Sequence, residues 1–199
     1  MENRNPLVSI CIPVFNGEKL VHRALISATA QTYKNIEIIV VDNASTDKTE
    51  AVVRAYANLD NRIKYFRNES NIGPLENFYK TFRLASGELI QELSHDDWLA
   101  KNYIEECLKT FNSYPEIGLV TTNIVYMLAG ADDLKAQFVK ELNFNTKPIS
   151  SHYIFKNSYR GTTYLGLAGS MGRKKDFVET YQLMERMFAD PNFSDVFHE

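Results

Sequence analysis

Between Leu7 and Thr121, apolar runs of strand length alternate with amphipathic stretches of helix length. This alternation constrains the chain more than any other feature. Leu7–Val14 (LVSICIPV), Ile36–Val41 (IEIIVV), Ile63–Arg67, Glu88–Leu93 and Ile117–Thr121 read as strands, the last with a possible extension to Tyr126. A helix is predicted over Glu18–Thr32, with Leu20, Ala24, Leu25 and Ala28 as its apolar stripe. A second runs from Lys48 to Ala57, capped by Ser45-Thr46-Asp47. A third follows the Asn71-Ile72-Gly73-Pro74 turn and stops before Ser86-Gly87, and a fourth spans Lys101–Ser113. Strands separated by helices require crossover connections. The expected fold class is therefore α/β, with a mostly parallel central sheet, helices on both faces and right-handed crossovers. After Tyr126 the pattern degrades. Ala129–Ser151 reads as an irregular excursion, Gly161–Gly172 as a loop near a ligand, and Asp176–Ala189 as a helix.

Composition narrows the function classes. At 199 residues, with 44% hydrophobic and 24% charged residues, the chain is long enough for one well-packed domain. A net charge of -3 disfavours nucleic acid as the main partner, because such binding draws on basic surface. Cys11 and Cys107 have neither metal-ligand spacing nor a disulfide framework, which fits a reducing compartment. Met1–Pro6 has no apolar signal-peptide core, and no apolar run approaches the ~20 residues of a membrane span. Eleven Tyr and twelve Phe are many for one small core. Those beyond Tyr103 either line a groove or simply fill core and surface.

In an open parallel sheet, ligands bind outside the carboxyl ends of the strands. The first strand delivers Pro13, Val14, Phe15 and Asn16 to that edge, and the second delivers Asp42-Asn43-Ala44-Ser45. The third leads to Asn71-Ile72-Gly73, and the fourth ends in His95, Asp96 and Asp97. Asp42 has two readings, an acceptor for a ribose or base edge and a cap for its own turn. Adjacent carboxylates such as Asp96 and Asp97 repel unless a cation is supplied, and hard oxygen ligands suit Mg or Mn. Their alternative role is an acidic cap for a helix starting near Trp98. The turn after the first strand, PVFNGE, has one glycine and no P-loop spacing. That argues against a nicotinamide dehydrogenase and against an ATPase or GTPase.

The ordered set of motifs resembles the family-2 glycosyltransferases, which have the inverting GT-A fold. The matching residues are Pro13-Val14-Phe15-Asn16 with Glu18, Gln31-Thr32-Tyr33, Glu37 through Asp47, Asn71-Ile72-Gly73, Ala85-Ser86-Gly87-Glu88 and Leu93-Ser94-His95-Asp96-Asp97. The resemblance implies that Pro13, Val14, Phe15 and Glu18 line a nucleotide pocket and that Asp42 contacts the base. It also implies that Asn71 and Gly73 lie beside the nucleotide, and that Asp96, with Asp97 next to it, binds a divalent cation, Mg or Mn. Ser94 occupies the place of the first acid in the family's Asp-any-Asp signature, which weakens the case for metal dependence. Asp195 is the looser match to the general base of a single displacement, and Gly169-Ser170-Met171 to the acceptor-side loop before it.

The resemblance thus divides the chain into a nucleotide-sugar-binding core, residues 1–126, and an acceptor-side portion, residues 127–199. The expected reaction moves a sugar from a nucleotide-diphosphate sugar, with UDP favoured, to a hydroxyl of a saccharide or lipid-linked acceptor. Polysaccharide or glycoconjugate synthesis is the expected setting. Two rivals stand beside it: a degenerate nucleotide-sugar-binding module and a nucleotidyltransferase. The end at Glu199, soon after Asp195, predicts a truncated chain. The expected location is the cytoplasm, with any membrane association through missing C-terminal sequence.

Overall fold

A computed structural model describes residues 5–121 and 170–189. It contains a six-stranded sheet of order β3-β2-β1-β4-β6-β5. The strands are β1 (Val8–Val14), β2 (Ile36–Asp42), β3 (Ile63–Arg67), β4 (Leu89–Glu92), β5 (Leu119–Thr121) and β6 (Ser170–Arg173). The helices are α1 (Val21–Thr29), α2 (Thr49–Leu59), α3 (Pro74–Leu84), α4 (Tyr103–Ser113) and α5 (Lys174–Ala189).

Every residue of β1 and β2 is buried, as expected of central strands covered on both faces. They pair in parallel from Val8 opposite Ile36 to Val14 opposite Asp42. Beyond them, β3 pairs in parallel with β2, and β4 in parallel with β1. The pleat sorts the side chains. Ile10, Ile12, Ile38 and Val40 join the core beneath α1, α2 and α4. Cys11, Ile39, Val41 and Ile90 face the opposite way, toward α3 and α5. On that side Phe82 packs 5.1 Å from Phe177, and Tyr79 stacks on Tyr181 at 5.5 Å.

Each helix has a local cause. In α1, Val21, Ala24, Leu25 and Ala28 fall on one buried stripe. The helix starts three residues later than predicted, because residues 17–20 form a turn in which Gly17 O accepts from Leu20 and Val21 N–H. In α3, Pro74 occupies the first turn, where its missing N–H costs nothing.

The structure corrects one expectation. Ser170, Met171 and Gly172, the end of the presumed Gly161–Gly172 loop, form β6. This strand runs antiparallel to β4 and β5, with Met171 opposite both Gln91 and Val120. Met171 is fully buried and Ser170 nearly so. Filling the gap between β4 and β5 outweighs the weak strand propensity of Ser and Gly, and it places Ser170 and Met171 in the core of the sheet.

Candidate active site

The strand order reverses beside β1. β2 and β3 extend to one side of it, and α3 carries the chain over the opposite face to β4 on the other side. Such a reversal opens a crevice at the carboxyl ends of β1 and β4. The loops there touch: a Cβ built on Gly17 would lie 2.7 Å from His95 Cδ2 and 2.6 Å from Val14 Cγ2. Only a residue without a side chain allows the two loops to meet.

The loop after β1 is braced against the loop after β2. Asn16 N–H donates to Ser45 Oγ at 2.9 Å, Gly17 N–H to Thr49 Oγ1 at 2.8 Å, and Glu18 N–H to Asp47 Oδ2 at 3.0 Å. In return, Glu18 Oε2 accepts from Lys48 N–H at 2.8 Å, and Asn16 Oδ1 accepts from Thr46 N–H at 2.8 Å. Glu18 thus supports the loops with one carboxylate oxygen. Pro13 and Val14 are buried within β1, whereas Phe15 stands 42% exposed at the mouth.

Asp42 is fully buried and already paired. Oδ1 accepts from Ser45 N–H at 2.8 Å, and Oδ2 accepts from Tyr65 OH and from Arg67 Nη1, each at 2.7 Å. The capping reading is realised here, since Oδ1 holds the turn at Ser45, while Oδ2 is taken up by Tyr65 and Arg67. Burial and the Asp42 carboxylate push the Tyr65 phenol well above its ordinary range, so that it stays a donor.

Asn71 and Gly73 lie in the turn after β3. Gly73 has φ of 86°, a left-handed conformation that a residue with a side chain adopts only under strain. Asn43 holds this turn: its Oδ1 accepts from Ile72 N–H at 2.9 Å, and its Nδ2 donates to Asn71 Oδ1 at 2.8 Å.

Ser94–Asp97 forms a turn, with Asp97 N–H donating to Ser94 O at 3.1 Å. Helix α4 begins only at Tyr103, so Asp96 and Asp97 do not cap it. The capping alternative therefore falls. Partial burial of its carboxyl and the charge of Asp96 raise the Asp97 pKa, and His95 offsets part of that rise. Beneath this turn Glu92 is 2% exposed, and burial followed by the charge of Asp97 pushes its pKa up to about 7.

Among the described residues, no group of three or more His, Cys, Asp and Glu side chains is arranged to hold a metal ion. Asp96 and Asp97 fit a cation that takes its remaining ligands from a diphosphate and water, as Mg commonly does. The crowded acidic pair, in which burial and the charge of Asp96 hold the Asp97 pKa above its ordinary value, is a place where added positive charge is stabilised. Asp195 and Gly169 lie outside the described residues, as does all but a fraction of the portion 127–199.

A model of glycosyl transferase family 2 matches residues 9–181. The chain belongs to this family. An uncharacterized glycosyltransferase of Rickettsia typhi is 44% identical over 109 residues, which are 54% of this chain and 33% of that protein. The chain thus spans about a third of that relative. Among solved structures, the mannosyltransferase PcManGT from Pyrobaculum calidifontis, in complex with GDP-Man and Mn2+, is similar at a TM-score of 0.56 and 25% identity. That likeness covers 61% of this chain and 36% of that one. Residues 1–349 of S. aureus TarS, in complex with UDP, share the fold at a TM-score of 0.63 and 21% identity, covering 91% of this chain and 53% of that one.

Several of the family-like motifs are structural in this member. Glu37 lies at the far end of the sheet, where its carboxylate accepts from Ser9 Oγ at 2.6 Å, from Lys64 Nζ at 2.6 Å and from the Ser86 and Gly87 N–H groups. One interaction thereby accounts for both the Glu37 and the Ser86-Gly87 segments. Gln31 is fully buried and ties α1 to α4, donating to Ala100 O at 2.8 Å and accepting from Ile104 N–H at 3.1 Å. Sequence reasoning missed Tyr65, Arg67, Asn68, Asn77 and Lys80, all of which support the crevice. A usable signal existed for Arg67: in a parallel register it lies directly opposite Asp42.

Proposed function

We propose that this chain carries the donor-binding part of an enzyme that moves a sugar from a nucleoside-diphosphate sugar to an acceptor hydroxyl with inversion. UDP is the favoured nucleotide, and the acceptor is a saccharide or lipid-linked saccharide in polysaccharide or glycoconjugate synthesis. One observation carries this reading. The loop after β1, the Asp42–Ser45 loop, the Asn71–Gly73 turn and the Asp96-Asp97 pair all converge on the switch-point crevice. Membership of the family and the likeness to a mannosyltransferase holding GDP-Man and Mn2+ support it.

In this reading Phe15 flanks the base at the mouth, and Asp42 shapes the wall beside it. Asn71 and Gly73 contact the nucleotide through their turn. Asp96 and Asp97 hold a divalent cation, Mg or Mn, which would neutralise charge on the diphosphate as it leaves. Asp195 takes the acceptor hydroxyl proton as general base. Among the described residues, no helix is long and apolar enough to cross a membrane. The reaction is assigned to the cytoplasm, beside any membrane that holds the acceptor.

Calorimetric titration with UDP, GDP and dTDP, each with and without Mn2+, tests the proposal. Mn2+-dependent binding of UDP is expected, with GDP as the competitor suggested by the mannosyltransferase. Asp96→Ala should lose the Mn2+-dependent part while its circular dichroism stays that of the parent. No binding of any of the three nucleotides under either condition overturns the proposal. Ser94, in place of an acid, favours a degenerate binding module as the second reading. Even slow hydrolysis of a nucleotide sugar rejects that module.

A further inference from the structure

A chain of buried amides runs from the outer side of α3 to the turn at the crevice. Lys80 Nζ donates to Asn68 Oδ1 at 2.7 Å. Asn68 Nδ2 donates to Asn43 Oδ1 and to Asn77 Oδ1, each at 2.9 Å. Asn43 Nδ2 donates in turn to Asn71 Oδ1 at 2.8 Å and to Gly73 O at 3.1 Å, while Asn43 Oδ1 also accepts from Ile72 N–H. Asn77 Nδ2 closes the set on Val41 O at 3.0 Å. Asn43, Asn68 and Asn77 are all at least nine-tenths buried.

The direction of this chain is set at both ends: backbone groups orient Asn43, through Ile72 N–H and Gly73 O, and Asn77, through Val41 O, while the Lys80 ammonium sets Asn68 from the other end. A neutral amide can be turned over, exchanging its donor and acceptor ends. Lys80 offers donors only, so it accepts one orientation of Asn68, the one with Oδ1 toward the ammonium. That orientation aims the Asn68 NH2 at Asn43 Oδ1, the same end that accepts from Ile72 N–H, so the Lys80–Asn68 contact reinforces the orientation in which Asn43 donates to Asn71 and Gly73. The end points are the exposed turn residues Asn71 and Ile72, at the carboxyl edge of the sheet.

We propose that Lys80 and Asn68 are positioning residues for nucleotide binding, acting through Asn43 to hold the Asn71–Gly73 turn in the shape that meets a nucleoside diphosphate. The proposal rests on the donor-binding reading above. A turn so held presents its groups without an ordering cost at the moment of binding, and freeing it weakens binding without any lost ligand contact.

The test uses the 199-residue chain with Lys80→Met, Lys80→Arg and Asn68→Asp. UDP and GDP affinities are measured calorimetrically with Mn2+, well below each variant's melting temperature. Amide hydrogen exchange is followed at Ile72 and Gly73, with Ile10 in β1 as the internal standard. Lys80→Met is expected to weaken binding about tenfold, the loss of one charge-assisted hydrogen bond, and to speed exchange at Ile72 and Gly73 alone. Lys80→Arg should restore both, and Asn68→Asp, which turns two donors into acceptors, should speed exchange most. Parent-like exchange at Ile72 and Gly73 in Lys80→Met overturns the relay, whatever its affinity. If the parent binds neither nucleotide, the donor-binding reading fails and the positioning role falls with it. If the parent binds and Lys80→Met binds equally well, the relay alone fails.

Discussion

Arg67 Nη1 lies 2.7 Å from Asp42 Oδ2, and the same guanidinium donates through Nη2 to Ser45 O at 2.8 Å. One side chain thus neutralises a carboxylate with no solvent exposure and ties down the loop that follows it. Arg67→Met should leave Asp42 with Tyr65 and Ser45 as neutral donors only. A buried charge that loses its counter-ion is costly, but Arg67 itself is 35% exposed, so water moderates the loss. A loss of stability is expected, moderated by that exposure. The midpoint of urea unfolding reads it, and an unchanged midpoint would show that the pair contributes nothing net. Tyr65→Phe should cost about half as much, since it removes one hydrogen bond and no charge.

Ala44 follows the Asp42-Asn43 strand end with φ of 61°, and it carries a side chain in a region that disfavours one. Asn16, the other such residue with a side chain among the described residues, is of a type that tolerates the region. Ala44→Gly should relieve the strain, worth roughly 1–2 kcal/mol, against an entropic cost of roughly 0.5–1 kcal/mol in the unfolded chain. A net gain of about 0.5–1 kcal/mol is expected, seen as a rise of a few degrees in melting temperature. Ala44→Val should fall the other way, because a β-branched residue tolerates this conformation least.

Burial pushes the Glu37 carboxyl upward, but hydrogen bonds from Lys64, Ser9 and Ser86 outweigh it and hold its pKa below the ordinary range. The sign for stability follows. The unfolded chain takes up this proton at a higher pH than the native state does. The contribution is therefore complete above the unfolded value of about 4.3 and is lost as pH falls through the native one. Glu37→Gln should be clearly less stable than the parent at pH 7, by about 2 kcal/mol. The gap should narrow as the pH is lowered below 4, when urea midpoints are compared across that range.

These outcomes bear on how much of the molecule was readable in advance. β1 and β2 were legible because central parallel strands are apolar on both faces, so the run itself is the signal. β6 was not, because Ser170-Met171-Gly172-Arg173 has no strand character until β4 and β5 offer it two ladders. The positions of Asp42, Asn71, Asp96 and Asp97 at strand ends were legible because polar residues interrupt the apolar runs there, although the pairing of Asp42 inside the fold was not. Arg67, Asn68 and Lys80 were not. Their partners meet them only after β3 is laid beside β2 and α3 has crossed back to β4. Glu18 marks the same limit from the other side: an acid near a pocket by position, with Oε2 accepting from Lys48 N–H in the fold.

Glu92 is where the fold and the crevice conflict. Its Oε2 is buried without a hydrogen-bond partner among the described residues, beneath the turn that carries Asp97. Burial, with the charge of Asp97 added, lifts its pKa to about 7, whereas in the unfolded chain a glutamate ionises near 4.3. Between those values the native protein keeps a proton that the unfolded chain has released. The unfolded state binds fewer protons there, so stability falls as pH rises through the window. Above pH 7 the accumulated penalty is on the order of 3–4 kcal/mol. Glu92→Gln keeps the shape and removes the ionisation. It should melt several degrees above the parent at pH 8, with the advantage shrinking toward pH 5, where the parent's glutamate is already neutral in the fold. Equal melting temperatures at both pH values would mean that the fold does not penalise the ionised Glu92 carboxylate. A lower melting temperature for Glu92→Gln at pH 8 would mean that the ionised carboxylate itself holds the turn.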